Sequence, residues 1–545
     1  CLLFFSASKS PAMANIPQDH VHRLIRSMSP AEKRYFKLHT SRHVVSGHSN
    51  HQELFDAIAG MTEYDENVLR KRFAKEAFMR RFPITKRRLY EAVLASLDAF
   101  HAESSIDEKL RRLLHHVELL HRRALYADAA KVLQSARAIA ETHRKQALLL
   151  QVAEWERRMM ERCNYAGITH DQLEERAVSV EGIAAQWQEV DRLWQLKSEV
   201  FLLIYRNGQA AQGMDLSELE ALEKEPLLHE GAALHSPRAR FLHHHVRSAL
   251  AYAKNQLAQC ETQLAACAEV LRAEPEAFKE EPDLLLGVMG NLANVRMRLG
   301  KHDQALEGFR KFRLIPLQLA TAPSPDLDMK LFVMGSSLEL SVHSLKGEFT
   351  EAMEQLPALE EGLARYGERA STMRRAELAL HAAYACFGGG AFDMALRWCN
   401  RLLNEKGIEA HTELHALGRM MNAMTLVELD KEELLTYLLR NTQRYLKQHG
   451  TPFAVEQLLL DHVAALLKLD PGIEVTTLWK SFGEQLNTLL KDPHGASVLD
   501  HIDLVCWAKA KAESRAFDEV VRAKWSAPAE AGSTPPNGPG RRRAA

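Results

Sequence analysis

The sequence predicts an all-α protein: a long array of stacked helical hairpins, an α-solenoid, behind a small basic helical block. Three observations carry that expectation. Glycine and proline are sparse, at 27 and 19 in 545 residues, while Ala, Leu, Glu and Arg, all good helix formers, are abundant. In segment after segment, apolar residues recur at spacings of three and four, the stripe of an amphipathic helix. A turn followed by an aromatic or apolar residue, and then by a small one, returns at a step of about 40 to 47 residues, which marks a repeat architecture.

The elements follow in order. Residues 1–17 are expected to be a disordered or upstream-translated leader, with Met13 as the start. The apolar run Leu2–Phe5 is too short for an export signal, no basic segment precedes it, and Lys9 interrupts the small-residue region. Residues 18–105 are expected to form a basic helical N-terminal domain. In HVHRLIRSMSPAEKRYFKL, Ser29 is placed to cap a helix, Pro30 to take its first position and Glu32 to lie in its first turn. NHQELFDAIAGM and DENVLRKRFAKEAFMRRF read as two further amphipathic helices, and PITKRRLYEAVLASLDAF opens a fourth with Thr85 as its N-cap.

Basic residues gather there: Arg70, Lys71, Arg72, Lys75, Arg80, Arg81, Lys86, Arg87 and Arg88. A helix, a short turn and a second helix opening Thr-Lys-Arg-Arg is the layout of a helix-turn-helix reader. The first residues of the second helix would then meet base edges and neighbouring cations the phosphates, with Lys86, Arg87, Arg88, Arg80 and Arg81 as candidates. The plainer reading is a solvated helical face, or a docking surface for the first repeats.

Residues 106–525 are expected to form the array. In MGNLANVRMRLGKHDQALEGFRKFRLIP (Met289–Pro316) an apolar helix ends near Leu299-Gly300 and a second starts around Asp303. Gly300 suits a helix C-terminus because it takes positive φ without strain. Ala305 is small where two helices cross closely, Phe309 and Phe312 continue the stripe, and Pro316 ends the hairpin. The pattern recurs at Gly347, Phe349, Ala352 and Leu356; at Gly390, Phe392, Ala395 and Cys399; at Asn255, Leu257, Cys260 and Leu264; and at Tyr126, Ala129 and Leu133. It fades but keeps step at Leu435 and Leu439, Leu478 and Phe482, and Val520, with room for two degenerate units near Leu173 and Ser217. One such hairpin buries too little apolar surface to offset its chain entropy, so units come in series.

Leu292, Ala293, Gly300, Ala305, Phe309 and Pro316 stand where a tetratricopeptide (TPR) unit has its signature residues, and the chain resembles that family. Met289 and Arg296 replace its usual aromatics, and the step is longer than the family's. The resemblance implies a right-handed solenoid of TPR-like hairpins that binds a protein or peptide, usually through polar residues of the inner helices: here Asn294, Arg298, Ser337 and Ser341. These do not reproduce the Lys/Asn clamp that captures C-terminal carboxylates in some TPR proteins. The N-terminal block resembles the leading segment of uncharacterised bacterial helical-repeat proteins, which brings no function with it. Helix-turn-helix followed by TPR is also the layout of bacterial peptide-responsive regulators.

Reactive chemistry is hard to place. The seven Cys form no CxxC pair, and Cys260 and Cys267 share one helix face, as small buried thiols in a reducing cytoplasm do. His39, His43, His48 and His51 form one cluster, His411 and His415 a second, four apart on a helix as paired zinc ligands can be, and His243 to His245 a third; none is HExxH, and no Asp, Glu or Cys partner stands at ligand spacing. There is no GxxxxGK[ST], GxGxxG or GxSxG, and Gly388-Gly389-Gly390 needs only a structural explanation at its turn. No apolar run is long enough to span a bilayer, and a net charge of -1 confines any nucleic-acid contact to a local patch. SAPAEAGSTPPNGPGRRRAA (526–545) is expected to be a disordered tail. The function expected is a cytoplasmic, non-catalytic, cofactor-free and metal-free protein- or peptide-binding scaffold. The alternative is a nucleic-acid-binding regulator with the basic block as reader and the array as sensor.

Overall fold

A computed structural model describes residues 20–41, 50–101, 105–207, 216–318, 324–449, 453–468, 474–489 and 501–526. The expected leader and, but for Ser526, the expected tail lie outside the described residues, as do His43 and His48. All regular structure among the described residues is helical, and no strand occurs among them. The chain divides into two compact units after Leu173.

The first unit opens with α1 (His20–Ser27), α2 (Pro30–Ser41), α3 (Asn50–Ala59), α4 (Glu66–Arg72) and α5 (Phe82–Phe100). Ser29 and Glu32 close a reciprocal capping box: the Glu32 amide donates to Ser29 Oγ at 3.3 Å and the Ser29 amide to Glu32 Oε2 at 2.6 Å. Ile25, Phe36, Phe55, Leu69, Phe82, Leu89 and Val93 form their common core, with Phe36 stacked on Phe55 at 4.3 Å.

The sequence suggested one helix from Asp65 to Phe82; it is broken. α4 ends at Arg72, and a 3-10 turn over Ala77–Arg81 precedes α5. On one continuous helix Phe73 and Phe82 would point to opposite sides, nine residues being two and a half turns. The break lets both bury in the same core. Thr85 is not the N-cap. Pro83 sits in the first turn of α5, fixing a helical φ there, and Thr85 lies inside the helix with its hydroxyl donating back to the Arg81 carbonyl at 3.3 Å.

α6 (Ile106–Arg122), capped by Ser105, pairs with α7 (Tyr126–Thr142), which pairs with α8 (Gln146–Arg162). Ala129, Leu133 and Ala136 face inward as expected. Arg137 of α7 grips Glu156 of α8 through Nε and Nη2, both at 2.7 Å. No hairpin forms near Leu173: α9 (His170–Asn207) is one helix of 38 residues, and the division between the units falls within it. From His170 to Asn207 the sequence has no proline and only Gly182, so no residue there stops a helix.

The second unit continues with α10 (Leu216–Glu223), α11 (Pro237–Ala253), α12 (Leu257–Ala273), α13 (Pro275–Phe278), α14 (Pro282–Arg298), α15 (His302–Gln318), α16 (Pro325–Lys346), α17 (Phe349–Glu354), α18 (Leu356–Tyr366), α19 (Thr372–Gly388), α20 (Phe392–Leu403), α21 (Thr412–Glu428), α22 (Glu432–His449), α23 (Ala454–Leu466), α24 (Val475–Leu489), α25 (Leu504–Glu513) and α26 (Phe517–Ser526). Successive helices pair as hairpins: α11 with α12, α14 with α15, α19 with α20, α21 with α22 and α25 with α26. Ala305, Phe309 and Phe312 are buried as the pattern required. Pro316 does not end its helix, since α15 runs on to Gln318; proline forfeits its own N–H bond, but its φ is helical.

One turn geometry recurs in both units. At Ala124, Arg144, Asn255, Gly300, Gly347, Gly390, Asp430 and Ser514 the backbone takes φ between 53° and 74°. In each case this residue's amide reaches back three residues and the next amide five, as Gly390 does to Phe387 and Ala391 to Cys386. That is a Schellman closure, and the second helix starts two residues after the left-handed one, or three in the case of Ser514.

The last hairpin does not pack only on its sequence neighbours. Trp507 of α25 is fully buried, donates from Nε1 to Glu428 Oε1 at 2.6 Å and meets the Phe387 and Trp479 rings at 6.2 and 4.7 Å. Phe517 of α26 lies against Phe349 and Phe387 at 5.7 and 5.5 Å. The amide of Asp503 donates to Tyr384 Oη at 3.3 Å, and the Trp525 ring lies tilted against His302 at 4.1 Å. One continuous core thus joins α16–α21 to α25 and α26.

Candidate functional site

α16 and α19 pack side by side. Glu377 and His381, one turn apart, share a face with Tyr384, and Arg374 stands one turn before them. α16 brings Ser337 and Ser341 opposite. Ser337 Oγ donates to Glu377 Oε1 at 3.4 Å, Ser341 Oγ lies 3.4 Å from His381 Nδ1, and Arg374 Nη1 donates to Glu377 Oε2 at 2.7 Å.

Glu377 and His381 are half-buried where α16 packs on α19. Burial pushes the Glu377 carboxyl up, but Arg374 beside it, with His381 and His501, outweighs burial and holds it below the ordinary carboxylate range. Burial pushes His381 down to about 4, against the pull of Glu377 and with His501 and Arg374 adding to the fall. At neutral pH the cluster therefore presents a carboxylate, a guanidinium, two hydroxyls and a neutral imidazole. These hydrogen-bond either sign of a peptide backbone.

Of the four positions expected to meet a partner, two are here. Ser337 and Ser341 belong to this cluster. Asn294 is exposed on α14. Arg298 is held by the preceding α11–α12 hairpin, with Nη2 donating to Asn255 Oδ1 at 3.1 Å and the guanidinium over the Tyr252 ring at 5.6 Å. Sequence reasoning passed over Glu377 and His381, although two polar residues at i, i+4 in RAELALHAAYAC were a signal to follow.

The five basic candidates of the first unit fall into two groups. Lys86 is turned inward, where Nζ donates to Tyr64 Oη at 3.0 Å and Glu66 Oε2 at 2.9 Å. Arg80, Arg81, Arg87 and Arg88 are exposed, Arg87 paired with Glu91 at 2.9 Å.

Four turns of the second unit converge on a cleft of about 650 Å³, lined by Gly347, Gly390, Glu428, Lys511, Ser514 and Phe517 among others. Its charges cancel internally: Lys511 binds Glu428 at 3.2 Å, Arg515 binds Glu513 at 3.1 Å, and Arg522 binds Asp518. The three adjacent glycines at its edge have separate reasons. A Cβ on Gly388 would overlap the Phe349 ring, one on Gly389 would meet the end of Met353, and Gly390 needs φ of 74°.

The histidines are accounted for by packing. His243 Nδ1 lies 2.7 Å from the Leu227 carbonyl, His244 Nδ1 2.9 Å from Gln263 Oε1, and His245 lies between the Phe201 and Phe241 rings. His415 sits edge-on to Tyr445 and His39 stacks on Tyr35. Among the described residues, no three His, Cys, Asp or Glu side chains are grouped to hold a metal.

Compared with known proteins, the chain matches no family model, and no curated protein matches it. No helix of the described residues is long and apolar enough to cross a membrane.

Proposed function

We propose that the chain is a right-handed α-solenoid of TPR-like hairpins that acts as a cytoplasmic, non-catalytic scaffold, binding a protein or peptide segment at the polar cluster of its second unit. That site carries the reading: Ser337, Ser341, Arg374, Glu377 and His381 form a hydrogen-bonding cluster where α16 packs on α19. The recurrent Schellman turn supports the repeat, since one junction geometry sets one angle between successive helices. Binding is favoured over catalysis because the imidazole beside Ser341, held near 4, is too weak a base to activate a hydroxyl at neutral pH. The cysteines among the described residues are free thiols, five of them buried, which suits a reducing compartment.

Ser341→Arg crowds the cluster without touching the hairpin turns. Proteins captured from lysate on the wild-type chain should be recovered at least tenfold less on the variant, with helix content unchanged by circular dichroism. Equal recovery would contradict the cluster as the binding surface.

A further inference from the structure

The first unit holds a surface that the scaffold reading leaves unused. Between Glu66 and Glu91 stand nine Lys or Arg and three Glu, and the structure sorts them. Lys86 is committed to Tyr64 and Glu66, its side chain 17% exposed and its ammonium 5.3 Å above the Phe82 ring. Arg70 binds the same Glu66 at 2.6 Å, and Arg87 binds Glu91. That uses two of the three carboxylates. Lys71, Lys75, Arg80, Arg81 and Arg88 are exposed and make no ion pair among the described residues.

We propose that this face binds the sugar–phosphate backbone of duplex nucleic acid without reading its sequence. Cations left without intramolecular counter-ions gain most from a polyanion, whose release of condensed counter-ions drives binding. Three of the five are arginines, whose planar fork matches a phosphate diester.

Other ligands fit less well, each for a reason in the structure. Base readout needs side chains projecting from a recognition helix into the groove, and Lys86, in the second turn of α5, points into its own core. A single-strand platform needs exposed aromatic rings for stacking. Phe73 and Phe82 are buried, and Phe78 and Tyr90 are half-buried against the same core. A membrane-surface anchor also needs a broad apolar face, and between Glu66 and Glu91 the exposed large apolar side chains are Val68 and Ile84, with Leu94 and Phe100 farther along α5. What remains is a set of phosphate contacts on a folded helical surface.

The test uses the full chain and no partner protein. Fluorescence anisotropy with short duplexes of mixed sequence, over a salt series, should show log affinity falling linearly with log salt. Affinity should be equal for scrambled sequences and weaker for the single strand. The variant Lys75→Ser/Arg80→Ser/Arg81→Ser/Arg88→Ser removes exposed groups only, so the fold should survive. Its salt slope should be shallower by about 3.6, four phosphates at about 0.9 each. Arg310→Ser/Lys311→Ser, exposed on α15, should leave the slope unchanged. Any of three results overturns the proposal: no duplex binding, binding whose slope the quadruple variant does not change, or binding to vesicles of anionic phospholipid with none to duplex.

Discussion

Replacing Trp507 by alanine should loosen helices more than a hundred residues upstream of it. Trp507 is 1% exposed, packs on Trp479, Phe387 and Phe482, and donates to Glu428. Truncating a fully buried aromatic to alanine costs about 3–5 kcal/mol, from lost transfer energy and the cavity left behind. The lost hydrogen bond adds little, because Glu428 keeps Lys511 at 3.2 Å. Trp507→Phe, which keeps a ring, should cost about 1–2 kcal/mol. In an array that couples only neighbours, a terminal lesion frays the terminus. Here Trp507 and Asp503 touch α19 through Phe387 and Tyr384, so the loss should spread. Amide hydrogen exchange read peptide by peptide is the assay. Protection in Thr372–Gly388 should fall together with that in Leu504–Ser526. Faster exchange confined to 504–526, or an unfolding free energy lowered by less than about 1 kcal/mol, would refute the shared core.

Two further predictions concern the second unit. Gly388→Ala puts a methyl into the Phe349 ring and should destabilise by about 1–3 kcal/mol in urea unfolding, with Phe349→Leu in the same chain restoring part of the loss. His462, 7% exposed and stacked on Phe482, is pushed by burial down to about 4. Its folded pKa lies below the unfolded value, so its protonation favours the unfolded chain. Stability is full above about pH 6.5 and falls as pH drops towards 4, by about 2 kcal/mol between pH 7 and pH 5. His462→Phe should flatten that part of the pH–stability curve, and an unchanged curve would show that other groups carry the acid sensitivity.

The helices and most hairpins were legible because Gly300, Gly347 and Gly390 mark turns by being the residue that takes positive φ at least cost. The same turn at Ala124, Arg144, Asp430 and Ser514 was not legible from the turn residue, since each is there against its intrinsic preference and is held by the helices on either side. The break after α4 was hidden because basic and apolar residues alternate through it without a proline or glycine. An apolar stripe says that a face is buried but not against what. So the stripe at Val520 was visible, whereas its return to Phe349 and Phe387 through Phe517 was not. For the same reason Lys86 read as a free cation, because its partners lie 20 and 22 residues upstream, at Glu66 and Tyr64. Ser337 and Ser341 came from the resemblance. Glu377 and His381, which complete their surroundings, needed the α16–α19 packing to be found.

Affinity capture of the tagged chain from its native lysate, run with and without nuclease, tests the central claim most directly. A defined set of proteins that stays bound after nuclease is the result the scaffold account predicts. Proteins that are all released on digestion, leaving only nucleic acid enriched on the untreated chain, would contradict it.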